Sequence, residues 1–515
     1  MTDPLGELRA LFASVLELEP EDLDEDTDFF LAGGHSLLAL HLAVAVEKHF
    51  GVELRVRDIA ECPTPKELAV RLDDKEISVA EPPKVTSAGV DPTVRWLWIE
   101  RQRGEAAPSA YNVPGLFHVR GEADERQLRE AVAGLHRRHP KLRSVFTEID
   151  GEPKEETGAK PPALQVVDLS HRPPGASAWE ELVDAEIATP FDLATGPLLR
   201  TTLFRHPDGT WSVLFVADHL ICDGRGLAIL AHDLIKLYAD PTCDSPVHPV
   251  DTTLETSAAL EYWAERLTPV PEPLPLPVSR ARDWPVERTE IVSTEVPGGM
   301  LSEVDAVARS TNTSRFVACT AAVARSLSEL TGSEDVCVGT PVDPRSRTAS
   351  TDTVGCHVAT VPLRLAVSPT IVPRDLIAEV SGRVVDALDH SQIPFAELVA
   401  QLNPVRQPHR PPYFDVWVAL YPHIDTGESE AGVSLYGGPV PLREGMFELS
   451  FQFVEHSTGM RLDIQYDVRR YDAGTIRRMA DRTCDSLRWL SARPESAPAD
   501  VEDSAPPQLF SGFRL

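Results

Sequence analysis

A chain of 515 residues is too long for one ordinary domain and long enough to bury a large core. Its 80 acidic residues against 49 Lys and Arg give a net charge of −31, which argues against nucleic acid or an anionic membrane surface as a partner. The seven cysteines are scattered with no Cys-x-x-Cys pair, so they read as reduced thiols in a cytoplasmic protein, and no metal-ligand spacing appears. Met1-Thr2-Asp3-Pro4 leads into an amphipathic helix rather than a secretory signal, and no apolar run is long enough to span a bilayer.

Leu5, Leu8, Leu11, Phe12 and Val15 give a first helix its apolar face. An acidic loop from Glu17 to Asp28 follows and ends in Phe29-Phe30-Leu31-Ala32-Gly33-Gly34-His35-Ser36. Leu37, Leu40, Ala43 and Val44 then recur at helical spacing up to Phe50-Gly51. Ser36 therefore sits at the N-terminus of a helix, where a serine ordinarily caps a backbone N–H. A further helical stretch from Pro65 to Leu72 completes a small bundle over residues 1–73. Residues 74–90, with Pro82-Pro83 and no periodicity, read as a semi-extended tether.

The remainder reads as α/β in two lobes, residues 91–267 and 268–490, with the proline-rich crossing Pro269 to Pro277 at their boundary. A C-terminal tail occupies residues 491–515. In the first lobe, Leu116 to Val119 reads as a strand and Asp124 to His139 as a helix. After the hairpin signal Pro207-Asp208-Gly209, the run from Trp211 to Ala217 reads as a buried strand. It opens into Asp218-His219-Leu220-Ile221-Cys222-Asp223-Gly224 and then a helix with Leu227, Leu230, Ala231, Leu234 and Tyr238 on one face. Two acids and one imidazole thus sit at a strand end, where scaffolds present chemistry; a satisfied loop histidine is the plainer reading of that stretch alone. In the second lobe, helices are expected over Phe316 to Leu330, Leu376 to Leu388 and 475–490. Strands are expected over Asp335 to Val342, Gly355 to Leu363, 414–420, 449–454 and 462–466.

Asp28-Phe29-Phe30, Gly33-Gly34-His35-Ser36-Leu37 and Phe50-Gly51-Val52 together resemble the peptidyl carrier protein of nonribosomal peptide synthetases. The later elements resemble the condensation domain of the same synthetases across nearly its full length. The matching residues are Arg138-His139, Leu142-Arg143, Phe191-Asp192-Leu193, Gly196-Pro197-Leu198, His219, Asp223-Gly224, Tyr262-Trp263, Gly339-Thr340-Pro341-Val342, Arg345 and Ile393-Pro394-Phe395. The fold implied is a small all-α four-helix carrier bundle followed by an α/β two-lobed, chloramphenicol-acetyltransferase-like condensation domain with a tunnel between its lobes.

The resemblance implies that Ser36 carries 4′-phosphopantetheine, added by a separate phosphopantetheinyl transferase. The partial positive charge of a helix N-terminus suits the phosphate. An adenylation domain or synthetase would load the arm, and the acceptor would be an amine, free or on another carrier. The activity implied is amide-forming acyl transfer in secondary-metabolite biosynthesis. Amide formation requires a group to orient the amine and manage its proton, and another to stabilise the oxyanion. His219 matches the central histidine of the family motif and suits the proton role, with a reference pKa of about 6.5. Asp223 matches the motif aspartate and Arg345 the arginine that pairs with it, a structural pair holding His219 toward the tunnel. Gly224 could present its backbone N–H nearby and permit a tight turn.

Two departures from the family stand out. Asp218 replaces the usual histidine, and Ala359 replaces the usual asparagine. Asp218 and Asp223 have the spacing of the aspartate pair in heterocyclisation domains, a minor alternative to amide or ester formation. Asp218 could also help accept a cationic amine. A noncatalytic docking module with a degenerate site is the main alternative. His139, His357 and His390 read as structural. The tail does not resemble the start of an adenylation domain, so the chain reads as free-standing, with a fragment of a larger synthetase as the alternative.

Overall fold

The computed structural model describes residues 4–491, except 17, 19–22, 31, 33, 35, 51, 53, 55, 75–89, 105, 159, 161–162, 172–176, 248–255, 279–288, 344, 346–351 and 406–409. The expected linker (apart from Asp74 and Val90), the tail beyond Ser491, and His35 therefore lie outside the described residues.

The N-terminal unit comprises α1 (Pro4–Leu16), α2 (Ser36–Phe50), α3 (Val56–Glu61) and α4 (Pro65–Asp74). Leu8 and Phe12 of α1 meet Leu42 and Val46 of α2, Ile59 and Leu68, all at 3% exposure or less. Phe29 plugs the loop between the first two helices edge-on to Phe12. A Cβ on Gly34 would lie 2.3 Å from the Phe29 ring, so glycine alone lets the chain turn into α2 over that ring.

The first lobe runs through α5 (Pro92–Arg103), β1 (Asn112–Arg120), α6 (Glu125–Arg138), β2 (Ser144–Ile149), β3 (Glu152–Thr157), β4 (Ala163–Asp168) and α7 (Ser177–Ala188). It continues with β5 (Leu199–Arg205), β6 (Trp211–Asp218), α8 (Gly224–Ala239) and α9 (Ser257–Arg266). β6 is buried along its whole length, and its period-two alternation divides two cores. Val213, Phe215 and Ala217 face the core shared with α6 and α8, while Leu214 and Val216 face that of α7.

The second lobe contains β7 (Thr289–Val296), α10 (Gly298–Ser310), α11 (Arg315–Thr331), β8 (Asp335–Val342), β9 (Ala359–Ala366), α12 (Pro373–Asp389) and α13 (Phe395–Leu402). Then follow β10 (Val416–Tyr421), β11 (Ile424–Asp425), β12 (Ser434–Pro439), β13 (Leu449–His456), β14 (Gly459–Asp467) and α14 (Ala473–Ser491). Its sheet has the order β7-β14-β13-β10-β8-β9, with β10 parallel to both neighbours.

Chain order assigns everything from 268 to 490 to the second lobe. The structure differs: β11 and β12 cross back and extend the first sheet to β11-β12-β1-β6-β5-β4. β12 pairs antiparallel with β1 along Gly115 to Arg120. The return from β12 to β13, residues 440–448, therefore passes from one lobe to the other.

Candidate active site

Asp218 is the last residue of β6, and its backbone N–H donates to Leu198 O at 2.8 Å. Its carboxylate is fully buried. Oδ1 accepts from Leu220 N at 3.0 Å and Oδ2 from Arg101 Nη1 at 2.7 Å. Arg101 also donates to Pro108 O at 3.1 Å and lies over the Tyr111 ring. Tyr111 O in turn accepts from His219 N at 2.9 Å. The turn that displays His219 is thus fastened on both sides.

Asp223 caps α8, its Oδ1 accepting from Gly226 N at 2.8 Å. The same oxygen accepts from Arg345 Nη2 at 2.8 Å, and Oδ2 accepts from His357 N at 2.9 Å and Val358 N at 3.1 Å. Burial alone would raise the Asp223 pKa. The Arg345 guanidinium and the backbone N–H groups outweigh it and hold the carboxyl well below the usual range. Arg345 is itself buried and further engaged by Asp343 Oδ1 at 3.2 Å, Thr353 O at 3.2 Å and Gly355 O at 3.0 Å. One carboxylate therefore joins the start of α8 in the first lobe to the segment entering β9 in the second.

Gly224 takes helical backbone as the first residue of α8. The tight approach falls instead at Gly226, where a Cβ would sit 2.7 Å from Cys222 Sγ. Sequence reading passed over Gly226, although the spacing Gly224-Arg225-Gly226 marked it.

His219 is half-buried and lines a cavity of about 1200 Å³ that is continuous with solvent. Asp223 and Gly224 line it too; Asp218 is not among its lining residues. Thr93, Trp96 and Leu97 of α5 and Asn112 to Pro114 of β1 contribute from the first lobe. Trp417 and Tyr421 of β10, Ser450 and Gln452 of β13, Gln465 of β14 and the crossing segment contribute from the second. His219 Nδ1 lies 3.5 Å from Cys356 Sγ, a neighbour that sequence reading missed because the contact spans 137 residues. Burial pushes the Cys356 and Cys222 thiols well up, so both are protonated at neutral pH.

The other singled-out residues lie apart from the cavity lining. His139 Nε2 is 2.9 Å from Asp233 Oδ2, and His390 stacks on Tyr262 at 4.0 Å. His357 is held through its backbone by Asp223, and burial lowers its pKa. Ala359 opens β9 opposite Val342.

Ser36 is the first residue of α2, presented by the turn that Gly34 closes over Phe29. A serine at a helix N-terminus after a turn too tight for any side chain at Gly34 fits attachment of a phosphate-linked arm. Among the described residues no His, Cys, Asp and Glu cluster could hold a metal, and no helix is long and apolar enough to cross a membrane.

Residues 97–504 match the family described as Condensation domain, and residues 6–72 match the phosphopantetheine attachment site. The probable non-canonical nonribosomal peptide synthetase CymA of Salinispora arenicola is 29% identical over 520 residues, covering 94% of this chain and 6% of that protein. Tyrocidine synthase 2 of Brevibacillus parabrevis is 27% identical over 500 residues, covering 92% and 14%. Phosphinothricin tripeptide synthetase PhsB of Streptomyces viridochromogenes is 28% identical over 515 residues, covering 91% and 42%. The chain thus spans less than half the length of these curated relatives. In fold, it is similar to a variant of the starter condensation domain of rhizomide synthetase RzmA in complex with C8-CoA. The TM-score is 0.67 at 20% identity, over 79% of this chain and 95% of that one. The first condensation domain of the calcium-dependent antibiotic synthetase aligns with TM-score 0.63 at 22% identity, over 80% and 98%.

Proposed function

The chain belongs to the condensation-domain family and has a phosphopantetheine attachment domain ahead of it, and from that premise we propose that it joins an acyl or peptidyl donor held on Ser36 to an amine. A carrier domain of this kind is modified by a phosphopantetheinyl transferase and works with other synthetase domains. The transferase, the domain that loads the donor, and an acceptor amine, free or on a second carrier, are the partners of this reading.

The observation that carries the proposal is His219 in the wall of an inter-lobe cavity, at a turn fastened by Arg101, Tyr111 and the Asp223–Arg345 pair. The arm on Ser36 supplies the thiol that holds the donor as a thioester. In the step itself, the amine nitrogen bonds to the donor carbonyl carbon and the carbon–sulfur bond breaks. His219 accepts the amine proton and returns it to the departing sulfur, so no net proton is gained or lost. With Nδ1 against Cys356, Nε2 is the nitrogen left for the substrate. Asp223 and Arg345 act through position only: each neutralises the other, and their hydrogen bonds hold the turn and the two lobes in register. The apolar walls around Trp96, Leu97 and Trp417 keep water from competing for the thioester.

Intact-protein mass spectrometry tests this. The didomain is loaded at Ser36 with a model acyl group and offered amines and aminoacyl carriers. Loss of the acyl mass matched by amide product, in wild type and not in His219→Ala, is expected. Loading without His219-dependent transfer across a broad acceptor panel would overturn the reading and leave a docking module.

A further inference from the structure

The charges that line the inter-lobe cavity are few. Among the described lining residues they are His219, Asp223 and Glu444, with no lysine or arginine. Asp223 is neutralised by Arg345 and saturated by backbone donors. Glu444 is different: it is half-buried, and its carboxylate has no ion pair or hydrogen bond to any described residue. Its chain neighbour Arg443 points away to pair with Asp184.

The crossing segment that carries Glu444 is held in place. Gln465 Nε2 donates to Leu442 O at 2.6 Å and to Thr289 Oγ1 at 3.2 Å, and the Thr289 hydroxyl donates to Arg443 O. A Cβ on Gly445 would lie 2.7 Å from Gln465 Oε1, so the segment lies flat on that amide. Two residues further on, Phe447 stacks on Trp417 at 4.4 Å with planes 11° apart, and both rings line the cavity. A carboxylate with no partner among the described residues, on a held backbone and in the same cavity wall as two aromatic rings, attracts a cation by charge, and the rings add their quadrupole. The net charge of −31 adds long-range attraction of the same sign.

We propose that the cavity takes a substrate bearing a cationic group in addition to its reacting centre, and seats that group on Glu444 beside Trp417 and Phe447. The proposal rests on the condensation reading above and names its substrate class. The cation can belong to the acceptor, as in a diamine, or to the donor chain; the recognising chemistry is the same. Substrates with a free carboxylate are disfavoured by the same field.

The test uses the full didomain with matched pairs. In one arm a hexanoyl donor on Ser36 meets cadaverine or pentylamine. In the other, pentylamine meets an ω-guanidinopentanoyl or a hexanoyl donor. The cationic member is expected to be favoured by about tenfold in kcat/KM in at least one arm, which corresponds to ~1.4 kcal/mol. Glu444→Gln should bring that ratio close to one, and Glu444→Asp should retain part of it. The ratio is measured within one preparation, so partial unfolding of a variant does not imitate the effect. Ratios near one in both arms of the wild type, or a ratio that survives Glu444→Gln, would overturn the proposal. If the wild type forms no amide from any pair, the condensation reading fails by itself. The cation site is then decided by calorimetric binding of pentylamine, an ammonium at neutral pH, against uncharged 1-pentanol to wild type and Glu444→Gln. Tighter pentylamine binding that is lost in the variant supports the site, and equal binding overturns it.

Discussion

Arg101 Nη1 donates to Asp218 Oδ2 at 2.7 Å, so the acid ahead of His219 is held by an arginine of α5 instead of facing substrate. The other carboxylate oxygen closes a local turn onto Leu220 N. This geometry favours a positioning role for Asp218 over acceptance of an amine or a heterocyclisation pair with Asp223, whose own carboxylate is engaged elsewhere. Arg101→Gln, which leaves the fully buried Asp218 charge unpaired, should cost about 3–5 kcal/mol in urea unfolding. Asp218→Asn should cost less, about 1–3 kcal/mol, because it leaves no buried carboxylate unpaired, although its one amide oxygen can accept from only one of the two donors. Amine preference should be unchanged in Asp218→Asn. A changed acceptor ratio in a stably folded variant would return Asp218 to the substrate.

Arg345 contacts Asp223, Asp343, Thr353 O and Gly355 O from a fully buried position, and only a planar fork of donors can do so. Arg345→Met should destabilise the chain by about 3–5 kcal/mol, since the Asp223 carboxylate stays buried without its counter-charge. Arg345→Lys should recover part of the stability and little of the transfer rate. A single ammonium cannot hold the turn and the β9 segment at once. Urea midpoints and single-turnover transfer from Ser36, measured on the same preparations, check both.

What was legible in the sequence was local. Asp335 to Val342 reads as a strand from its apolar, β-branched run and is β8 at those bounds. The run from Trp211 reads as buried because no position in it can face water, and both faces of β6 are covered. Ser36 is placed by helical spacing and is the first residue of α2. What was not legible depends on register between distant segments. β12 belongs to the first sheet through its pairing with β1, more than 300 residues away, and nothing in Ser434 to Pro439 announces a partner. Cys356, Arg101 and Glu444 reach the site the same way: each is ordinary in its own window and takes its place only through the packing of segments distant in the chain.

Histidines kept neutral by burial make stability fall on acidification. His136 is buried with its Nε2 unpartnered, and burial, with the nearby Arg143 and His139 charges, lowers its pKa to about 4. Burial lowers His118, His206 and His423 in the same direction. The unfolded chain then takes up protons below about pH 6.5 that the folded chain refuses, so stability is lost as pH falls from 6.5 toward 4. His136 alone should account for about 1.4 kcal/mol between pH 7.5 and 5.5. Asp233, held at about 2 chiefly by His139 and Arg138 against the opposing effect of burial, adds a further loss only below about pH 4. Urea unfolding at pH 7.5 and 5.5 should show the first decline, and His136→Leu should flatten it. An identical slope in the variant would assign the decline to other groups.

Cys356 is the neighbour that fixes how His219 is turned, and its own chemistry makes this testable. Its thiol is buried and pushed well up in pKa, so it should resist iodoacetamide in the native chain. The exposed Cys243 and half-buried Cys62 should label first. Cys356→Ala removes the sulfur 3.5 Å from Nδ1 and leaves a small void, at about 1 kcal/mol of stability. The imidazole then loses the contact that orients it, and a catalytic group free to turn is a slower one. The transfer step should fall by about three- to tenfold with KM unchanged, because the cavity walls that bind substrate are intact. A fall in affinity with an unchanged rate constant would make Cys356 a packing residue. An unchanged rate would mean that the Asp218 and Tyr111 contacts on the backbone hold His219 without help from its side-chain neighbour.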